Sequence, residues 1–356
     1  MSTKSTTTKA AGSVLRNRVQ NILLDWDRTQ LLVSFIVLGL IALSPLVVES
    51  PYYMGIIILT TLYIFTGISW NIVAGFAGQL LIAHISFLAF GAYTTIVLYN
   101  TYGVSPWLGI PIGGVVAGLL GMVVAFITLR YGLKMDYFAL FTIALMVALK
   151  TLFLKWEFVG GAIGMGLSLR NPSWDKMIFN TKEPYLYIAL VLTVIGVLIQ
   201  YRIYRSKIGA YFMAIREDED AAAALGVNTS RYKMLAVVIG AAMAGVGGGF
   251  YVMYVTFVEP PQVFDLGLNV EIIMAAPIIG GLGSLAGPVL GGILNKPLAE
   301  FIRGTLTAGR SGTTLIVYGS FLILAILFMP RGVAGLLHSP YEKMRQRILK
   351  SNAGKE

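Results

Sequence analysis

Few residues in this chain of 356 are of types that do covalent chemistry, and those few are scattered. There is no cysteine, which removes thiolate nucleophiles, disulfides and thiolate metal sites. The two histidines, His84 and His338, stand far apart, with no HExxH and no carboxylate cluster beside either. A catalytic metal or a nucleophile–base pair is therefore not expected. No GxxxxGK[ST] loop is present, so the chain cannot itself cradle the phosphates of ATP. One patterned stretch remains: the acids Glu217, Asp218, Glu219 and Asp220, then four alanines from Ala221 to Ala224, then Gly226. Alanines favour helix, acids at the leading end complement the helix dipole, and glycine ends such a helix in a left-handed cap. A smooth face of alanines beside a charge cluster suits docking into a groove on another protein, with the charges setting orientation. The plainer alternative is a solvated helix that keeps its charge on the wet side.

The other candidates lie in apolar surroundings. Gln79 and His84 fall within the glycine-broken stretch 69–93, and both need partners in a low-dielectric site. His84 is open to two readings, a satisfied packing residue or a group on a solute pathway.

The elements that must position these residues are membrane helices. The chain is 56% hydrophobic and 12% charged, about half the charge of a soluble domain. Its net charge of +10 lies in tails and loops, which points to membrane orientation rather than to nucleic acid. The first 30 residues are polar and Thr-rich, unlike a cleavable signal peptide. Eight runs approach the roughly 20 apolar residues a crossing needs: 31–48, 52–73, 80–99, 107–128, 137–154, 185–201, 234–255 and 315–329. Tyr52, Tyr53, Trp107, Tyr137, Trp156, Tyr185 and Tyr201 mark their ends, at the level where aromatic belts form. Basic residues collect in alternate loops: Arg130 and Lys134, then Arg202, Arg205, Lys207, Arg216, Arg231 and Lys233, then the tail. The loop with Glu259 and Asp265 has no base. The positive-inside rule then puts both termini and the 202–233 loop in the cytoplasm.

That parity leaves no room for a single crossing near 271–294. The stretch holds Pro277, Gly280, Gly281, Gly283, Gly287, Pro288, Gly291 and Gly292. It reads as a broken hairpin that enters and leaves on one face, as transporters use beside their substrate path. The alternative is one kinked helix packed on its small residues, Gly283, Gly287 and Gly291. Gly114 with Gly118, and Ala241 with Gly245 and Gly249, offer similar close-approach faces. The fold class is thus an all-α polytopic bundle of about eight crossings with one broken re-entrant hairpin. It divides into a basic segment 1–30, a transmembrane part 31–335 and a basic tail 336–356.

The segment DAAAALG, with Asp220, Ala221, Ala222 and Gly226 at its fixed positions, resembles the EAA-xxx-G coupling loop of ABC importer permeases. The stretches GFAGQLLIAHISFLAFGAY, LRYGLKMDYFAL and IIGGLGSLAGPVLGG resemble branched-chain amino-acid permeases of the LivM type. The resemblance runs in order from about Trp70 to Gly335. Where that family has small polar and glycine residues between its Gln and His, this chain has Leu81 and Ala83. The loop VGGAIGMGL carries an extra residue pair, and Lys150 stands near where a carboxylate is usual.

The resemblance implies an ABC importer permease fold and no cofactor. It assigns Arg216, Glu217, Asp218, Glu219, Asp220, Ala221, Ala222 and Gly226 to ATPase coupling. Gln79, His84, Tyr137, Gly160, Gly161, Gly280 and Gly281 become the expected pathway residues. Expected partners are a second homologous permease subunit, two cytoplasmic ATPases, an extracytoplasmic binding protein contacting loops 160–181 and 256–270, and the bilayer of a prokaryotic inner membrane, with no nucleic acid. The expected cargo is branched-chain amino acids. Urea or short amides, and ion-coupled secondary transport, are the alternatives; proton coupling is disfavoured because the spans are nearly bare of titratable groups.

Overall fold

The computed structural model describes residues 26–133, 135–168, 172–306, 311–329 and 332–336. The expected N-terminal segment through residue 25 and the tail from 337 lie outside the described residues. Membrane-length helices dominate: α1 Trp26–Ala42, α2 Pro51–Trp70, α3 Ile85–Tyr102, α4 Pro106–Arg130, α5 Met135–Lys155, α6 Glu183–Tyr204, α9 Thr229–Val255 and α12 Ser311–Phe328. Two short helices, α7 Lys207–Glu217 and α8 Glu219–Ala224, join α6 to α9. Two more, α10 Leu266–Gly280 and α11 Gly287–Phe301, precede α12. Among the described residues, seven helical stretches are long and apolar enough to cross a membrane. The eighth expected crossing is α3, which is buried between its neighbours.

Local sequence explains the boundaries. Pro51 and Pro106 start α2 and α4 at positions whose missing N–H costs a helix nothing. Gly103 ends α3 in a left-handed conformation. Burial then sorts the helices: the apolar windows of α2 and α9 are 83% and 72% buried and form the centre, whereas that of α1 is 17% buried and faces outward. The small residues expected at contact faces lie there. A methyl carbon placed on Gly245 of α9 would stand 2.4 Å from Ala117 Cβ and 2.8 Å from Gly113 O on α4. These backbones pack at a distance that leaves no room for side chains.

The break after α2 begins as a π-turn, Asn71–Phe76, and stays non-helical through His84, so α3 starts five residues later than the apolar run suggests. The backbone groups freed there are taken up by side chains. Trp70 Nε1 donates to Leu81 O at 2.8 Å, and Asn269 Oδ1 accepts from Ile85 N at 2.8 Å while its Nδ2 donates to Ile82 O. Irregular backbone survives at membrane depth only when satisfied in this way.

The expected broken hairpin is present. α10 and α11 run antiparallel about a turn at residues 281–286, and Gly281 takes φ +116°, open only to glycine. Contacts between the legs climb in step from that turn: Gly280 against Gly287, Ala276 against Gly291, Glu271 against Asn295 and Lys296. A single kinked helix would make none of these contacts. At the far end of the bundle, β1 Met165–Gly166 pairs antiparallel with β2 Phe257–Val258, tying the loop after α5 to the loop after α9.

Candidate functional site

The acidic segment is built by consecutive caps. Ser206 Oγ accepts from Gly209 N to open α7. Asp218 is extended and its carboxylate accepts from Ala221 N at 2.9 Å, which opens α8. The acids therefore do not form one helix from Glu217 to Leu225, as alanine propensity suggests; Asp218 breaks it in two. Gly226, at φ +86°, closes α8, with Val227 N donating to Ala222 O at 3.1 Å. Asn228 Oδ1 then accepts from Arg231 N at 3.0 Å and starts α9. Of the four alanines only Ala222 is buried; Ala221, Ala223 and Ala224 are exposed beside Leu225, which is 86% exposed. The result is a small apolar knob with Glu217 and Asp220 also exposed.

The knob is fastened to the bundle at two points. Lys233 Nζ pairs with Glu219, and the Lys233 carbonyl accepts from Gln79 Nε2 at 2.8 Å. Arg216 Nη2 pairs with Glu217 at 2.8 Å, and its Nη1 donates to Gly75 O at 2.6 Å. Between these points lies a cleft of about 230 Å³, lined by Gly78, Gln79, Leu129, Phe138, Arg216 and Lys233 among others. Gly75 belongs to the π-turn and touches the hairpin, where a methyl carbon on it would meet Gly283 N at 2.7 Å.

The hairpin turn is held by amide side chains from three elements. Asn71 accepts from Gly283 N at 2.8 Å and donates to Ser284 O at 3.0 Å. Gln200 of α6 donates to Ser284 O at 3.2 Å, and Gln30 of α1 accepts from Leu285 N at 2.8 Å. The turn is half-buried, with Leu282 49% exposed and Leu285 and Ala286 buried, and these side chains satisfy its inner backbone groups. The turn, the π-turn and the acidic segment form one connected assembly at one end of the bundle, with Arg216 joining them.

The expected pathway residues are not gathered into one cavity. Gln79 belongs to the acidic-segment end, and Gly280 and Gly281 to the hairpin turn. His84 is fully buried, with Nε2 3.0 Å from Ser69 Oγ and its ring edge-on to Phe87. Gly160 and Gly161 lie after α5, in the loop system tied by β1 and β2. Tyr137 is 66% exposed on the outer surface of α5.

Some residues escape sequence reasoning. Asn71 and Gln200 read as ordinary helix residues, Gln30 as part of the basic segment 1–30 and Asn269 as part of the 256–270 loop, yet they hold the broken backbone. A group of four charges also forms in the hairpin: Glu271 on α10, Lys296 and Glu300 on α11, and Arg303 just beyond it. The recurrence of charge at positions 296, 300 and 303, one helical face, was the available signal. Among the described residues no three His, Asp or Glu side chains converge as metal ligands would.

Comparison with known proteins follows the same outline. Residues 52–329 match the family described as the branched-chain amino acid transport system / permease component. The chain is 31% identical over 324 residues to the high-affinity branched-chain amino acid transport system permease protein LivM of Escherichia coli K12, covering 83% of this chain and 74% of that protein. It is 27% identical over 293 residues to the LivH permease protein of the same strain, covering 77% and 91%. Against the probable LivH permease of Methanocaldococcus jannaschii it is 24% identical over 262 residues, covering 72% and 80%. No solved structure matches the chain.

Proposed function

This chain belongs to the branched-chain amino acid transport permease family, in its LivM branch, and from that premise we propose that it imports branched-chain amino acids using ATP hydrolysed by separate subunits. It is a multi-pass membrane permease and not an enzyme in itself. Two cytoplasmic ATPases would dock on the α7–α8 knob of this chain and its counterpart. A second, homologous permease subunit would complete the path, and an external binding protein would deliver the solute over the loops that β1 and β2 tie together. Both termini would then lie in the cytoplasm of a prokaryotic cell.

The observation that carries this reading is the knob itself. It is exposed where a motor could grip it, yet fastened through Arg216 to the π-turn and the turn of the hairpin. A merely solvated helix needs neither the exposed Leu225 nor that fastening. Ion-coupled transport is less well supported, because Glu271 and Glu300 are both paired with Lys296 and Arg303.

The test is reconstitution with two ATPases, the second permease and the binding protein. Leucine uptake should require all of them and ATP; concentrative uptake by this chain alone would refute the reading.

A further inference from the structure

The fastening of the acidic segment leaves a space that it does not fill. The cleft between the two fastening points has a volume of about 230 Å³. At about 30 Å³ for each water it has room for roughly eight, the bulk of one free amino acid. Its lining comes in two parts. The polar part is Gln79, from the break before α3, with Glu219 of α8 and Lys233 of α9. The apolar part comes from the corner between α4 and α5: Leu129, Leu133 and Phe138. Thr128, at the same corner, spends its hydroxyl on the carbonyls of Val124 and Ala125 in its own helix. Among the described residues, no hydrogen bond or ion pair ties this corner to the acidic segment.

The polar part has capacity to spare. Gln79 is 8% exposed and its Nε2 donates to the Lys233 carbonyl, but its Oε1 has no hydrogen-bond partner among the described residues. An amide oxygen so placed is open to a donor held in the cleft. Lys233 Nζ carries three donors and spends one on Glu219. A carboxylate accepts several bonds at once, so Glu219 has acceptor capacity beyond that pair. A small molecule with a carboxylate and an ammonium on one carbon can therefore be held without breaking the Lys233–Glu219 contact.

We propose that the cleft binds a zwitterionic amino acid with an apolar side chain, its carboxylate on Lys233 Nζ, its ammonium on Gln79 Oε1 and Glu219, and its side chain on Leu129, Leu133 and Phe138. Such a ligand ties the acidic segment to the α4–α5 corner and restrains the knob. The assignment rests on the transport reading above, in which this end of the bundle faces the cytoplasm and the knob moves with the ATPase. The solute released there is of the class that fits, so accumulated product slows its own import. A ligand lacking either charged end leaves Lys233 or Gln79 unmatched and forfeits a charged hydrogen bond.

The experiment uses the full importer in proteoliposomes, with the binding protein outside, ATP inside and unlabelled leucine sealed in the lumen at graded concentrations. Initial uptake of labelled leucine and ATP hydrolysis are measured together. Lumenal leucine should lower both severalfold. N-acetylleucine and leucinamide, each lacking one charged end and added to both sides, should need about tenfold higher concentrations, the scale of a lost charged hydrogen bond. Leu129→Trp and Leu133→Trp fill the cleft from its apolar part. Each should raise the half-inhibitory leucine concentration by about tenfold, the scale of one displaced apolar side chain, read against the same variant's rate in empty vesicles. Full rates in the wild type at every lumenal leucine concentration would overturn the assignment. Equal potency of leucine and both analogues would overturn it, and so would unchanged inhibition in both Trp variants, because the ligand would then act elsewhere. The analogue comparison needs no variant and decides the matter if the Trp variants fail to assemble. A wild-type importer that hydrolyses ATP but moves no leucine into empty vesicles would instead overturn the transport reading, and this assignment with it.

Discussion

Arg216 donates a 2.6 Å hydrogen bond from Nη1 to the carbonyl of Gly75, joining the acidic segment to the π-turn that ends α2. Gly75 in turn abuts Gly283 in the hairpin turn, so one guanidinium bridges the surface knob and the hairpin. A charged donor on a backbone carbonyl is among the stronger hydrogen bonds. Arg216→Met keeps the apolar stem that packs on Gly78 and removes the donor. The expected result is an importer that assembles and hydrolyses ATP but takes up about tenfold less solute per ATP. Assay of hydrolysis and uptake on the same vesicles checks it; unchanged stoichiometry would show that motion reaches the hairpin by another route.

The knob itself can be altered without touching that bridge. Gly226 holds φ +86°, while proline is fixed near −65° and has no N–H for the bond to Ala223 O. Gly226→Pro should unwind the end of α8, and the ATPase should no longer copurify, with the permease still inserted. Changing all four of Ala221 to Ala224 to Glu should have the same outcome with an added packing cost at Ala222, which is buried. Ala223→Glu with Ala224→Glu avoids that cost, since both are exposed. If this double variant retains full ATPase association and uptake, α8 is not the docking surface.

Much of the bundle was legible in the sequence because membrane helices carry their own signal. The runs that became α1, α2, α4, α5, α6 and α9 are long, apolar and bounded by Pro, Gly or charge, and the structure moves their ends by no more than six residues. The hairpin was legible through its glycines and through charge parity. What the sequence hid was polar: Asn71, Gln200 and Asn269 matter because of backbone that lies more than 80 residues away in the chain. The split at Asp218 was hidden too, since a local side-chain cap outweighed the helical preference of its neighbours. Glu271 and Lys296 could be matched only after the two legs were known to lie side by side.

The hairpin legs offer a sharp stability test. A methyl carbon on Gly280 would lie 1.7 Å from Gly287 O, and one on Gly291 would lie 1.8 Å from Ala276 O. Both clashes are with backbone, which cannot rotate away. Gly280→Ala and Gly291→Ala should each cost about 1–3 kcal/mol or more, as overpacking does. Gly319→Ala on α12, where the added carbon meets nothing within 4 Å, is the matched control. Thermal unfolding in detergent should separate the first two variants from the control by several degrees; equal midpoints would mean that the legs do not pack this closely in the membrane.

The same hairpin decides where the chain ends. If α10 and α11 return to the face they left, α12 crosses toward the end of the bundle that holds the acidic segment. Gly332 supports that course, since a methyl carbon on it would stand 2.2 Å from Gly281 N at the hairpin turn. The six bases against two acids after residue 330 would then fall on the cytoplasmic side, the arrangement the positive-inside rule favours. Single cysteines introduced between 340 and 356 into this cysteine-free chain should react with a membrane-impermeant maleimide only in inside-out vesicles. A cysteine replacing Glu259, in the loop after α9, should react only in right-side-out vesicles. Labelling of the tail from outside would require an odd number of crossings between residues 265 and 311, and the antiparallel legs would have to be abandoned.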